Sequence, residues 1–413
     1  MGPASRRLRA GTVNASWGEA VALDPIDPVA IAGVGESAMT TRSDRSAVDM
    51  AGDAIAAAIA DAGLEPCQID GLMLQRGMGG QFSAEAFHTR FGTSHDIWMS
   101  DLGGAMTWAG TAPHVAGQAL RAGTASAIIN VFSVDWASQK AAGTGGPGDY
   151  HAQEVMKASL ELPFGFYPQP VYFAHVARRH MADFGTTAEQ LGAIAVASRA
   201  HANGHRGAVM RDKPLSLEGY MAQPMLVDPL RMEDCCLISD GAAAYLMTTP
   251  ERAKDLAKPP VNVIAVGEGR SHSGTYFSQQ GAFTSTPQIF AAPAAFAMAG
   301  ITPADVDVLA IYDPFTIVAL MQIEDMGFCA KGAGGSFVMG DRLLHHRGRA
   351  RGGLPFNTHG GLLSHAYLLG IAHVVELVRQ LRGEACNQVE DARIGVYGGF
   401  TGGDASSLVL ARG

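Results

Sequence analysis

Two tyrosines stand in short frames dense with polar and glycine residues. Tyr312 lies in Ile311-Tyr312-Asp313-Pro314-Phe315, and Tyr367 ends Gly360-Gly361-Leu362-Leu363-Ser364-His365-Ala366-Tyr367. A phenol, with an ordinary pKa of about 10, donates a proton and accepts one where its surroundings lower that value. Taken singly, a tyrosine in a buried loop reads more simply as packing with one satisfied hydroxyl. Asp313 and His365 are placed to tune the phenols, but they read equally as a solvated loop residue and a satisfied core histidine. Asn357 and His359, in Pro355-Phe356-Asn357-Thr358-His359-Gly360-Gly361, are candidate donors to a substrate oxygen or serve only the turn.

Other reactive groups are few. The five cysteines form no C-x-x-C pair, which supports neither a disulfide framework nor a zinc site. Cys235 and Cys236, beside Ser239-Asp240-Gly241, read as a buried structural pair. The run His345-His346-Arg347-Gly348-Arg349-Ala350-Arg351 reads as a solvated loop, with the phosphates of a ligand or a partner chain as the alternative. Gly143-Thr144-Gly145-Gly146-Pro147-Gly148 lacks the Lys-Ser/Thr ending of a phosphate-cradling loop.

At 413 residues the chain exceeds one ordinary core, and 47% apolar residues give ample material for burial. A formal charge of −9, from 30 basic and 39 acidic residues, argues against nucleic-acid binding. No run approaches the roughly 20 apolar residues of a membrane span. Residues 1–24 carry Arg6, Arg7 and Arg9 without an apolar signal core, so a cytoplasmic protein with a disordered leader over 1–25 is expected.

The elements that must position these groups repeat. Val29 to Ser37 is an apolar run punctuated by glycine, and Val261 to Glu268 echoes it. Ala62-Gly63-Leu64-Glu65-Pro66 through Leu72 matches Ala299-Gly300-Ile301-Thr302-Pro303 through Leu309. In both, an alanine-rich helix (Ala47–Asp61; Ile289–Met298) ends at glycine, and a Pro-led turn and an apolar strand follow. Gly103-Gly104 and Gly360-Gly361 each precede a helical segment. This predicts an internally duplicated α/β chain with halves at 26–258 and 259–413. The first half carries an extra stretch over about 140–235, including a helical run from Gln190 to His201. Gly33-x-Gly35-x-x-Ala38 imitates a dinucleotide fingerprint, but a polar loop follows and the helix is expected only from about Ser46.

With these frames in view, the chain resembles the thiolase superfamily from about residue 26 onward, and most nearly its lipid-transfer-protein, or sterol-carrier, branch. The resemblance rests on Ala177–His201, Asp228–Ala244, Glu324–Gly335 and Pro355–Gly361 taken together. It implies a five-layer αβαβα sandwich whose insertion covers an acyl-CoA site. In that family the frame around Tyr312 reads Asn-Glu-Ala-Phe or His-Asp-Cys-Phe, and the frame around Tyr367 ends in Gly-His-Pro. The family's nucleophilic cysteine precedes the helix opened here by Gly103-Gly104-Ala105-Met106-Thr107, yet no cysteine lies between Cys67 and Cys235. Its second cysteine would fall near Val396–Gly399, which also holds none.

Steroid side-chain aldolases, a branch of the same superfamily, use a tyrosine pair at the two matching positions. The resemblance therefore implies retro-aldol cleavage of a β-hydroxyacyl-CoA, giving a ketone and a short acyl-CoA such as propionyl-CoA. A base takes the β-hydroxyl proton, the Cα–Cβ bond breaks, and the thioester enolate is stabilised and protonated. Tyr367 is assigned as the base and Tyr312 as the partner acid or orienting donor, an order that the sequence leaves open. No metal or redox cofactor is expected, with CoA part of the substrate. A homodimer joined by a small OB-fold, zinc-ribbon protein into a heterotetramer is the expected assembly, any zinc belonging to that partner. The alternatives are a non-catalytic acyl-CoA or lipid-binding subunit, and a thiolase with a displaced nucleophile such as Thr107 or a remaining cysteine.

Overall fold

The structure, a computed structural model, describes residues 15–21, 23, 25–75, 82–145, 155–274 and 277–413. Its strands are β1 (Gly18–Val21), β2 (Val29–Glu36), β3 (Gly71–Met73), β4 (Trp98–Ser100), β5 (Ile128–Asp135), β6 (Met225–Val227), β7 (Leu230–Arg231), β8 (Asp240–Thr248), β9 (Val261–Ser271), β10 (Val308–Ile311), β11 (Ile394–Phe400) and β12 (Asp404–Arg412). The longer helices are α1 (Ala47–Ala62), α2 (Thr107–Arg121), α3 (Gln169–Phe184), α4 (Ala188–Gly204), α5 (Gln288–Ala299), α6 (Thr316–Asp325) and α7 (Ile371–Arg382).

The repeat seen in the residues is a repeat of topology. The first half orders its strands β4-β3-β5-β8-β2 and the second β10-β11-β12-β9. The parallel pairs β4–β3 and β3–β5 of the first half, and the parallel pair β10–β11 of the second, are each followed by two antiparallel pairs. The half-sheets meet where Val29–Ile31 of β2 pairs with Val261–Val263 of β9. α1 covers β2, β8 and β5 of the first half, and α5 covers β9 and β12 of the second. α2 and α7 touch strands of both half-sheets and each other, so they form the middle of a five-layer α/β sandwich.

Period-two patterning builds this arrangement. Along β8, Ala243, Tyr245 and Met247 face the large core shared with α2 and α7, while Ala242, Ala244 and Leu246 face the α1 side. On β5, Ile128, Phe132 and Val134 face the first core, and Ala127, Ile129 and Val131 the second. On β2 a register shift between Ile31 and Gly33 restores Val34 to the inner face. Glycine spacing has a steric cause as well. A Cβ on Gly33 or Gly35 would drive into the Ala58 or Ala54 carbonyl of α1, and one on Gly267 or Gly269 into the Ala291 or Pro287 carbonyl at α5. The Gly-x-Gly of β2 therefore admits a helix at close range, with Ser46 as its N-cap and left-handed Gly63 as its C-cap.

Part of the expected leader is ordered. Gly18–Val21 pairs with Glu268–Ser271 of β9, and Trp17 packs on Phe290 at 5.1 Å. Residues 1–14 lie outside the described residues, as do 146–148 of the glycine-rich 143–148 segment. The halves differ most between their last two strands. β11 passes to β12 through Thr401–Gly403, whereas β5 reaches β8 by way of α3, α4 and the β6–β7 hairpin. α4 packs on α6 and on the short helix Gly361–Ser364, which lays the insertion over the segments that carry both tyrosines. Among the described residues no helix is long and apolar enough to cross a membrane.

Candidate active site

β10 ends at Ile311 because Asn357 takes over its backbone pairing. The Asn357 Oδ1 accepts from Ile311 N at 2.8 Å, and its Nδ2 donates to Ile311 O at 2.9 Å. Asn357 is thus spent on positioning the next residue. Tyr312 N donates to Gly398 O at 2.8 Å, and Gln322 Nε2 of α6 donates to Tyr312 O at 2.8 Å. Tyr367 arrives from the loop between Gly361–Ser364 and α7, where its N donates to Ser239 Oγ at 2.7 Å and its ring packs on Trp136 at 5.4 Å.

These anchors bring the two phenols together, close enough that each shifts the ionisation of the other. Tyr312 is 6% and Tyr367 5% exposed, so each keeps only a narrow face toward solvent. Burial raises both phenols far above the ordinary value, because a phenolate loses its hydration there.

Asp313 is fully buried and ties three segments. Its carboxylate accepts from Leu362 N at 2.8 Å and is paired with His373 Nε2 of α7 at 3.0 Å. It therefore fixes the Tyr312 loop against the loop leading to Tyr367, which rules out the solvated-loop reading. His359 and His365 sit behind the pair in a histidine cluster. Ring centroids lie 4.6 Å apart for His359–His373, 5.0 Å for His359–His365 and 4.8 Å for His205–His365. Neither ring nitrogen of His359 or His365 has a hydrogen-bond partner among the described residues, so His365 is not the satisfied core histidine that the sequence suggests. Burial, reinforced by the neighbouring imidazoles, holds His359 well below the ordinary histidine range; burial takes His365 down to about 3, despite Glu36 at 4.0 Å. Burial opposes ionisation of Glu36, but Arg379 and the nearby histidines outweigh it and hold the carboxyl at about 2.

The loop that the resemblance equates with the nucleophile site lies alongside. Gly103 N donates to Leu74 O, and the side-chain amide of Asn130 brackets Gly104, accepting from its N and donating to its O. Met106 caps α2 with φ 53° and ψ −127°, a backbone conformation that L-residues rarely adopt. The strained junction is thus present but carries a thioether, which cannot hold an acyl group. Thr107 is buried, and its carbonyl accepts from Ser406 Oγ at 2.9 Å.

Three groups near the pair escape sequence reasoning. Tyr397, in the Val396–Gly399 frame where a cysteine is missing, donates its hydroxyl to Met106 O at 2.7 Å. Asn130 is a fully buried amide in a strand that also carries Ser133 and Asp135, so its polarity alone did not single it out. His373 falls within the apolar pattern of α7, which hides it. Cys236 is the thiol whose charge both phenols would feel, but burial raises it well above the ordinary thiol value, away from a thiolate. The His345–Arg351 run lies at the opposite end of β10 from Tyr312 and lines a cavity of about 550 Å³. There Arg347 pairs with Asp341, and Arg349 with Asp307 at 3.0 Å.

Comparison with known proteins bears on the whole chain. A family described as "Thiolase C-terminal domain-like" matches residues 269–412. The chain is 33% identical over 389 residues to a steroid side-chain-cleaving aldolase of Thermomonospora curvata, covering 92% of this chain and 97% of the relative. It is 32% identical over 398 residues to the 17-hydroxy-3-oxo-4-pregnene-20-carboxyl-CoA lyase of Mycobacterium tuberculosis, covering 92% and 98%. Among solved structures, the Ltp2-ChsH2(DUF35) aldolase superposes with a TM-score of 0.84 at 32% identity, over 94% of this chain and 98% of that one.

Proposed function

The chain belongs to the thiolase superfamily, in its branch of aldolases and acyl-CoA lyases, and from that premise we propose that Tyr312 and Tyr367 perform a retro-aldol cleavage of a β-hydroxyacyl-CoA side chain borne on a steroid. The observation that carries this reading is the juxtaposition of the two buried phenols beside a nucleophile junction occupied by Met106. Because burial opposes a phenolate at either position, the pair works as a neutral relay. The substrate β-hydroxyl proton passes to Tyr367, Tyr367 gives its own to Tyr312, and the proton of Tyr312 reaches the α-carbon. The O–H and Cα–Cβ bonds break while C=O and Cα–H bonds form, so the balance needs no free CoA.

The assembly we favour is a homodimer carrying a small OB-fold partner. The two-component description of the superposed Ltp2-ChsH2(DUF35) aldolase supports a partner subunit.

The test is turnover of a tertiary-alcohol β-hydroxyacyl-CoA by the chain co-expressed with a candidate OB-fold partner protein. Ketone and short acyl-CoA are followed for wild type, Tyr312→Phe and Tyr367→Phe. General acid–base groups contribute about 10²–10⁴-fold, and a loss of that order is expected in each variant. Turnover that survives both substitutions rejects the phenol relay. Turnover that depends on added free CoA points instead to thiolysis.

A further inference from the structure

Two residues beside the tyrosines hold backbone conformations that their side chains disfavour, and they face each other. Met106 has φ 53° and Leu369 has φ 50°; neither is glycine, and neither has the short polar side chain that eases the left-handed region. Both are buried, Leu369 fully. The amide of Met106 donates to the carbonyl of Leu369, so the two strained units are joined directly. The carbonyl of Met106 is held as well, by the Tyr397 hydroxyl at 2.7 Å. Tyr397 in turn lies against Gly370, where a Cβ would collide with its hydroxyl and come within 3.4 Å of the Tyr312 ring.

From this geometry we infer that the Met106–Leu369 pair is a positioning clasp for Tyr367, and that Tyr397 locks it. Leu369 lies two residues beyond Tyr367 in the same loop, and Met106 caps α2 in the other half of the molecule. Their bond fixes the loop across the middle layer of the sandwich. Strain of this kind persists only where surrounding contacts over-determine it, and it concentrates where a reacting group must be held in one place. The clasp has a second consequence. With its N–H engaged by Leu369, Met106 offers no backbone donor to a thioester oxygen, so acyl transfer is disfavoured at the amide as well as at the side chain. The positioning role rests on the phenol reading above; the geometry of the clasp does not.

Leu369→Gly and Leu369→Ala separate backbone strain from side-chain loss. Both remove the same buried side chain, but only glycine relieves the left-handed backbone. Leu369→Gly should melt about 1–3 °C above Leu369→Ala, since a strained non-glycine residue is relieved in a chain of this size. It should nevertheless turn over more slowly than Leu369→Ala by about tenfold or more in kcat with KM unchanged, because the loop gains conformations in which Tyr367 is misplaced. Tyr397→Phe should reproduce the kcat-only loss. Equal kcat in the two Leu369 variants, or a lower melting temperature for glycine than for alanine, overturns the clasp. Tyr367→Phe is assayed alongside. If it retains turnover while Leu369→Gly is slowed relative to Leu369→Ala, the phenol relay falls and the clasp stands as the support of another group; if it is inactive while the Leu369 variants match, the clasp falls and the relay stands.

Discussion

Replacing His365 by leucine should flatten the dependence of stability on pH, by an amount that follows from its burial. In the folded chain His365 is held at about 3, against an ordinary histidine value of 6.5, by burial and by His205, Arg379 and His373, with Glu36 opposing. The unfolded chain therefore binds a proton at this site below pH 6.5, and the folded chain does not until pH approaches 3. The site is neutral to stability above pH 6.5 and costs stability progressively as pH falls through that window, the sense required when the unfolded state binds more protons. At pH 5 the cost is RT ln(1 + 10^1.5), about 2 kcal/mol, a factor of about 30 in the folding equilibrium. Leucine is of similar volume and forfeits no hydrogen bond, because neither ring nitrogen of His365 has a partner. Glu36 keeps its ion pair with Arg379. Urea unfolding of both proteins at pH 7.5 and pH 5, followed by far-ultraviolet circular dichroism, gives the double difference. Carboxyls such as Glu36, lowered to about 2, and Glu376, raised by burial, titrate in both proteins and cancel to first order. Wild type should lose about 2 kcal/mol more than the variant between the two pH values. Equal losses, or a larger loss in the leucine variant, refute the reasoning that the imidazole is held neutral by its surroundings.

Two further outcomes follow from the same structure. Met106→Cys restores a thiol at the nucleophile junction but not a free amide beside it, so incubation with a short acyl-CoA should leave the intact mass of the protein unchanged; a stable acyl adduct contradicts the closed junction. Gly35→Ala places a methyl group against the Ala54 carbonyl of α1, and a loss of at least about 1–3 kcal/mol in urea unfolding is expected, whereas an unchanged midpoint means that α1 is free to shift away.

Much of the scaffold was legible from residue patterns. The repeated run, glycine-ended helix and Pro-led turn predicted the two halves, and β2–α1–β3 and β9–α5–β10 follow that order. The expected helices over Ala47–Asp61, Ile289–Met298 and Gln190–His201 lie inside observed helices that extend by one to three residues at most of their ends. The leader was misjudged from Trp17 onward, because a four-residue edge strand with two exposed side chains carries almost no periodic signal and gains its partner only from β9.

The tyrosine pair shows where the division falls. Sequence alone determined which groups are available: two phenols in matching frames, no cysteine at either position where the family carries one, and glycines at the turns. Such facts are local, set by residue type and by spacing along the chain. It also offered Asn357, His359, His365 and Asp313 as possible donors and tuners, without a means to rank them. Only the tertiary structure decided that Asn357 is consumed by Ile311, that Asp313 joins the two loops through His373, and that Tyr397 closes on Met106 from 291 residues away. The physical reason is that a hydrogen bond or a shifted pKa depends on which atoms share a buried volume, and segments far apart in sequence come to share one only when the two half-sheets close around α2 and α7.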